Sequence, residues 1–219
     1  MTMSKKRFAV VLSGCGVYDG AEIHEATMAL YAIARNGGVY QVFAPDMEQH
    51  HVINHLTGEE MPEKRNVLVE SARIARGNAK PLSELRTEEF DALIFPGGFG
   101  AAKNLSTWAF DGPLAKINPD VERVIADMHK AKKPIGALCI APVLLAKLIK
   151  GASVTIGSDK DTAQAIEQVG AKHSVTSHGQ VTVDMDNMLF TTPCYMLDAT
   201  IVDIANGADA VVTEMMRYI

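Results

Sequence analysis

The sequence predicts a doubly wound α/β fold, and three observations carry the prediction. Short apolar runs alternate with amphipathic helical segments along the whole chain, the pattern of βα units in a parallel sheet. Some of the runs, such as 135–138, are apolar at every position and bounded by proline, as strands buried on both faces are. Three of the runs also end in unusual turns: Ser13-Gly14-Cys15-Gly16, Pro96-Gly97-Gly98-Phe99-Gly100 and Leu138-Cys139-Ile140. In such sheets, ligands bind outside the carboxyl ends of the strands, where the strand order reverses.

The elements follow in order. Residues 8–13 read as the first strand and 22–35 as an amphipathic helix with Ile23, Ala26, Leu30, Ile33 and Ala34 on its apolar face. Gly37-Gly38 closes that helix, and 39–44 is the second strand. The third strand, 91–95, runs into the Pro96-Gly97-Gly98 turn. A helix over 121–131 leads to the strand 135–138, and Pro142 then falls in the first turn of another helix, where a missing N–H is tolerated. A helix over 162–169 and a short strand near 173–176 come next. Residues 181–184 and 188–191 pair through a turn at Asp186-Asn187. A long helix over 198–217, N-capped by Asp198, closes the chain. Residues 46–81 break the alternation; they are polar, rich in His and Glu, and hold one helix over 66–76, so a surface excursion or contact region is expected.

Composition sets the limits. With 219 residues, 47 % of them hydrophobic, and no repeat or linker, one domain spanning 1–219 is expected. A net charge of -5 with mixed signs leaves no basic stripe, so no nucleic-acid partner is expected. No apolar run approaches the roughly 18 residues that cross a bilayer, so no membrane partner is expected either. Residues 1–7 lead directly into a strand instead of a signal-peptide core, and three cysteines without a CxxC pair suit a reducing compartment; the expected location is cytoplasmic.

Cys139 is the strongest chemical candidate. A cysteine between an apolar strand and a helix N-terminus stands at a nucleophile elbow, where the helix dipole is expected to lower the thiol pKa. Backbone amides at Gly97, Gly98 and Ile140 would form an oxyanion hole beside it. Glu22 and Glu25, in the first turns of the helix after strand one, either complement the helix dipole or turn into the crevice, where burial would make one of them a proton donor or shuttle. His24 between them is expected on a different face. Cys15 fits as a small residue at a strand end or a second thiol facing the crevice, and Cys194 as packing. His50, His51, His55, Glu48, Glu59 and Glu60 match no ligand spacing, so no metal is expected. Gly14-x-Gly16-x-x-x-Gly20 is not a dinucleotide fingerprint and no phosphate-binding P-loop is present, so no cofactor is expected.

The sequence resembles the ThiJ/PfpI superfamily of the class I glutamine amidotransferase-like fold, and within it the glyoxalase-like enhancing-lycopene-biosynthesis group. The resemblance covers nearly the whole chain, through Leu-Ser-Gly-Cys-Gly-Val-Tyr-Asp-Gly at 12–20, Glu-Ile-His-Glu at 22–25, Val-Ile-Asn-His-Leu-Thr-Gly at 52–58, Pro-Gly-Gly-Phe-Gly-Ala-Ala-Lys-Asn-Leu at 96–105, Cys-Ile-Ala-Pro at 139–142 and Thr-Pro-Cys-Tyr-Met-Leu at 192–197. It implies a flavodoxin-like three-layer α/β/α sandwich with a mostly parallel central sheet, Cys139 as nucleophile, and an acidic partner that matches Glu25 first and Glu22 second. Superfamily members are often homodimers, so a homodimer is expected. The sequence departs from the peptidase-like members at Ile140, where they carry a histidine, and no later His-x-Glu pair supplies an amidotransferase base.

Two functional expectations result. The first is a glutathione-independent glyoxalase that takes a small dicarbonyl to a 2-hydroxy acid, glyoxal to glycolate, through the Cys139 thiolate, with His173 and His178 as further base candidates. The second is a low-turnover redox-responsive or binding protein on the same fold, with apparent protein deglycase activity as a variant of the first.

Overall fold

A computed structural model describes residues 5–219. Its centre is β1 (Arg7–Val11), which pairs in parallel with β2 (Val39–Ala44) on one side and β4 (Ala92–Phe95) on the other. Beyond β2 lies β3 (Ala79–Pro81); beyond β4 lie β5 (Ile135–Leu138), β9 (Leu189–Thr192) and β8 (Thr182–Asp184). The order β3-β2-β1-β4-β5-β9-β8 is parallel throughout except for the final β8–β9 hairpin. The chain winds outward from β1 to β3 and then returns to β4 on its other side, so the order reverses at β1 and β4. That reversal opens the crevice above their carboxyl ends.

Two layers of helix cover the sheet. Phe8, Val10 and Leu12 face one side and pack with α1 (Ile23–Arg35) and α8 (Ile201–Met216). Ala9, Val11, Leu93, Phe95, Ile135 and Ala137 face the other, against α5 (Pro119–Lys130) and α6 (Pro142–Leu148). Two short helices, α3 (Phe99–Lys103) and α4 (Trp108–Asp111), lie between β4 and α5. A strand whose alternate residues are buried on opposite faces must be apolar throughout, which is why these runs show no polar alternation. The architecture is a flavodoxin-like α/β/α sandwich with a mostly parallel sheet. No helix among the described residues is long and apolar enough to cross a membrane.

Four local readings need correction. On α1 the stripe that meets the sheet is Ala26, Ala29, Leu30 and Ile33, at i, i+3, i+4 and i+7, while Ile23 is 45 % exposed and Ala34, one residue round the helix from Ile33, faces outward. The N-cap of α8 is Thr200, not Asp198: Thr200 accepts from the Asp203 amide, and Asp203 Oδ2 accepts from the Thr200 amide at 2.8 Å, a reciprocal capping box. The strand expected near 173–176 is β7 (Lys172–His173), paired with β6 (Ser153–Val154) in a separate two-stranded sheet.

The fourth concerns residues 46–81, which do not form one excursion. Asn66 caps α2 (Val67–Ile74), and β3 completes the sheet edge, so only the stretch before Asn66 lies outside the layers. That stretch is tied down over the crevice side: the Ile53 amide donates to Asp19 Oδ2 at 2.7 Å, the Tyr18 amide to His55 Nε2 at 3.2 Å and the His50 amide to Asn104 Oδ1 at 2.9 Å.

Candidate active site

Cys139 directly follows β5, and its amide continues the sheet ladder by donating to the Thr192 carbonyl at 3.0 Å. One residue later the chain must turn into α6, and Cys139 takes φ +60°, a left-handed conformation that costs a residue with a Cβ about 1–2 kcal/mol. The elbow read from the sequence is therefore present, held by β5–β9 pairing on one side and Pro142 at the start of α6 on the other. The Gly98 and Ile140 amides and the Glu25 carboxyl all stand close enough to the sulfur to act on its protonation, the amides favouring the thiolate and Glu25 opposing it.

Glu25 sits on the inner face of the first turn of α1 and is fully buried. Its Oε2 accepts from the Gly97 amide at 2.9 Å and its Oε1 from the Tyr195 amide at 3.2 Å. Burial, together with the neighbouring Glu22 carboxylate, pushes Glu25 up to about 8, against which the two amides and the thiol contact pull only in part. Glu22 instead forms the N-cap of α1, where its Oε2 accepts from the Glu25 amide at 2.7 Å. The two glutamates offered by the sequence thus separate, Glu25 beside the sulfur and Glu22 capping the helix that carries it.

The thiol pKa runs opposite to the expectation. Burial and the Glu25 charge push Cys139 well above the ordinary cysteine range, outweighing the Gly98 and Ile140 amides that favour the thiolate. Cys139 is only 7 % exposed, and α6 is two turns long, so desolvation dominates any dipole. The second correction is to the oxyanion hole. The Gly97 amide is already committed to Glu25, which leaves Gly98 and Ile140 as the amides that favour charge on the sulfur. Gly97 matters for its lack of a side chain: a Cβ there would lie 2.4 Å from Cys139 Cβ and 2.6 Å from Glu25 Oε2. At Gly98, φ +93°, a Cβ would meet the Glu22 amide just as closely.

A cleft of about 340 Å³ opens onto Cys139 between Val17, Phe99, Ile140, Asp159 and Tyr195. Among the described residues no histidine lines it: His173 Nε2 accepts from the Ile156 amide at 3.3 Å, away from the cleft, and His24 lies on the exposed face of α1. Cys15 does not line it either; the charged groups around that thiol are Glu70, Arg73, Asp19 and Arg65. Cys194 is buried behind the site, where burial and Glu25 raise its thiol pKa. No group of three His, Cys, Asp or Glu among the described residues converges as a metal would need, and His50 and His51 instead stack with Phe110.

Tyr195 and Asp159 are among the lining residues that sequence reasoning missed. Tyr195 follows β9, the strand beside β5, so the rule that placed Cys139 at a carboxyl edge applied equally to the Pro193-Cys194-Tyr195 turn. Asp159 caps α7 (Lys160–Gln168), accepting from the Thr162 amide at 2.8 Å, and the Thr162 side chain together with that amide holds its carboxyl below the usual range.

The chain is 50 % identical over 223 residues to the mitochondrial ES1 protein homologue of Rattus norvegicus, an alignment that covers 97 % of this chain and 84 % of that one. It is likewise 50 % identical over 221 residues to the mitochondrial glutamine amidotransferase-like class 1 domain-containing protein 3 of Homo sapiens, covering 96 % and 82 %. The crystal structure of an isoprenoid biosynthesis protein with an amidotransferase-like domain from Ehrlichia chaffeensis superposes with a TM-score of 0.90 at 36 % identity, covering 97 % of this chain and 100 % of that one. Residues 15–193, which hold Cys139, Glu25 and the Gly97-Gly98 turn, match the DJ-1/PfpI family, and the chain belongs to it.

Proposed function

We propose that the protein is a glutathione-independent glyoxalase-type enzyme converting a small dicarbonyl such as glyoxal to its 2-hydroxy acid. The observation that carries this reading is the pairing of a buried, easily protonated Glu25 with the elbow thiol of Cys139, in a cleft without a histidine among the described residues. Amide hydrolysis needs a base and an acid to expel an amine. Addition of a thiolate to an aldehyde needs only a proton donor near the carbonyl oxygen.

The chemistry balances with Glu25 as the single proton carrier. The Glu25 carboxylate takes the Cys139 thiol proton, the thiolate attacks one aldehyde carbon, and Glu25 gives that proton to the carbonyl oxygen, leaving a hemithioacetal and a carboxylate. That carboxylate removes the hydrogen from the same carbon, forming an enediolate, and returns it to the neighbouring carbon while the hydroxyl proton moves to the second oxygen. The product is a glycoloyl thioester on Cys139, which water hydrolyses to glycolate. The Gly98 and Ile140 amides, which act on the sulfur, would stabilise the oxyanion of each addition.

The test is glyoxal consumption with glycolate formation by wild type and Cys139→Ala; equal rates in the two would remove the thiolate route. A second reading, the low-turnover redox-responsive protein, draws on the raised Cys139 pKa, since a mostly protonated thiol is a slow nucleophile. Sulfinic acid on Cys139 after mild peroxide, together with no aldehyde turnover, would favour it.

A further inference from the structure

The glyoxalase route leaves its last step without a base. Glu25 is fully enclosed, its two oxygens accept from Gly97 and Tyr195, and a water molecule must reach the acyl carbon from the open side of the cleft. On that side Asp159 is committed to the α7 cap and held as a weak base. The position after the cysteine is Ile140, which carries no proton-accepting side chain.

Tyr195 lines the cleft, and its hydroxyl is 2.8 Å from Nδ1 of His24. The His24 side chain is 49 % exposed, so its far edge meets solvent, and Glu22 Oε1 lies 4.0 Å from the same Nδ1. Glu22 is buried and keeps its other oxygen on the Glu25 amide. The Tyr195 ring thus borders the cleft, its hydroxyl meets the imidazole, Glu22 stands near the same ring nitrogen, and the exposed far edge of His24 opens to bulk water. A hydroxyl paired with a base that takes its proton is the arrangement that activates a nucleophile in unrelated hydrolytic sites.

We propose that Tyr195, backed by His24 and Glu22, is the acid–base device that hydrolyses the Cys139 thioester. This rests on the proposed thioester, and extends it to any acyl group on Cys139. Water gives a proton to Tyr195 Oη as the phenolic proton passes to His24 Nδ1; the oxygen attacks the acyl carbon, the C–S bond breaks, and its electron pair returns to Sγ. The imidazolium sheds its proton to solvent through the exposed edge, and the acid's remaining proton goes back to Glu25. One proton leaves per turnover, as formation of glycolate requires. Tyr195 is the catalytic residue of this step, and His24, which acts through it, is a positioning residue that also removes the proton.

The experiment acetylates Cys139 with p-nitrophenyl acetate and follows loss of the acetyl group by intact mass, which needs no dicarbonyl turnover. Tyr195→Phe keeps the backbone amide on Glu25, and His24→Ala changes an exposed side chain, so both variants should fold. Deacetylation is expected to slow on the order of 100-fold in each variant, with added imidazole restoring the rate in His24→Ala alone. Wild-type deacetylation rates in either variant, or no imidazole rescue, overturn the proposal. Variant-dependent deacetylation without glyoxal turnover leaves it standing and removes the glyoxalase reading. A Cys139 that takes up no acetyl group overturns both.

Discussion

The Gly97 amide donates to Glu25 Oε2 at 2.9 Å, and this bond joins the turn after β4 to the first turn of α1 across 72 residues of sequence. The Gly97 carbonyl accepts from the Glu22 amide at 2.9 Å, so one glycine residue fixes both the acid and the start of its helix. A methyl group at Gly97 would meet Cys139 Cβ at 2.4 Å and the Leu138 carbonyl at 2.9 Å, both anchored by the elbow. Gly97→Ala is expected to destabilise the fold by about 1–3 kcal/mol and to lower glyoxal kcat/KM by at least about 100-fold. Thermal unfolding and steady-state kinetics on the same preparation check both.

Glu25→Gln separates acidity of the thiol from turnover. The Glu25 charge is among the causes that raise the Cys139 pKa, so removing it should bring iodoacetamide alkylation of Cys139 to a lower pH. Glyoxal turnover should fall by about 100-fold or more, because the amide can neither transfer a proton to the carbonyl oxygen nor take the carbon-bound hydrogen. A variant that alkylates more readily and still turns over glyoxal at the wild-type rate would remove Glu25 from the reaction.

Stability should depend on pH through the same residue. Glu25 ionises at its ordinary 4.5 in the unfolded chain and at about 8 when folded. Between those values the native state holds a proton that the unfolded state has released, so Glu25's contribution to stability is full below about 4.5 and is lost as pH rises to about 8. Glu25→Gln lacks this dependence. Its melting temperature should exceed that of the wild type near pH 8, offset by the loss of one backbone hydrogen bond, and the gap should close toward pH 5, as calorimetry across that range would record.

Glu22→Gln should move the kinetic pH profile. The Glu22 carboxylate is the second cause of the raised Glu25 pKa, after burial. With a neutral residue there, the rising limb of glyoxal kcat/KM, set by loss of the first proton from the Glu25–Cys139 pair, is expected at lower pH than in wild type. An unshifted limb would mean that the Glu22 charge does not reach Glu25.

At α8, Thr200→Ala removes one half of the capping box and is expected to cost about 1 kcal/mol. Denaturant unfolding measures it, with little change in glyoxal turnover, since α8 packs beneath the sheet and contributes no residue to the cleft.

Much of the fold was legible because its signals are local. β2 and β5 fall where the apolar runs place them, and Pro142 opens α6 as its ring requires. Legibility failed where partners were distant. β3 is three residues long, with no apolar run of its own, and becomes a strand only by pairing with β2. β6 and β7 are two residues each, and β6 went unread for the same reason. The α8 cap was misplaced by two residues because Asp198 and Thr200 are both good caps, and only the Asp203 contact selects Thr200.

For the site, the amino-acid sequence by itself determined the elbow, since an apolar strand followed by cysteine and a helix-starting proline can turn in few ways. It also presented Glu22, Glu25, Gly97 and Gly98 as candidates. Tertiary structure decided what each one does. Glu25 comes to lie beside the sulfur and Glu22 becomes the cap because α1 meets the Gly97 turn with one particular side inward. The thiol and carboxyl pKa values rise because packing removes water from both, a property of the assembled layers that outweighs the local helix dipole. The contact between Tyr195 and His24 spans 171 residues, and it exists because β9 is laid beside β5 and α1 is laid across the same edge.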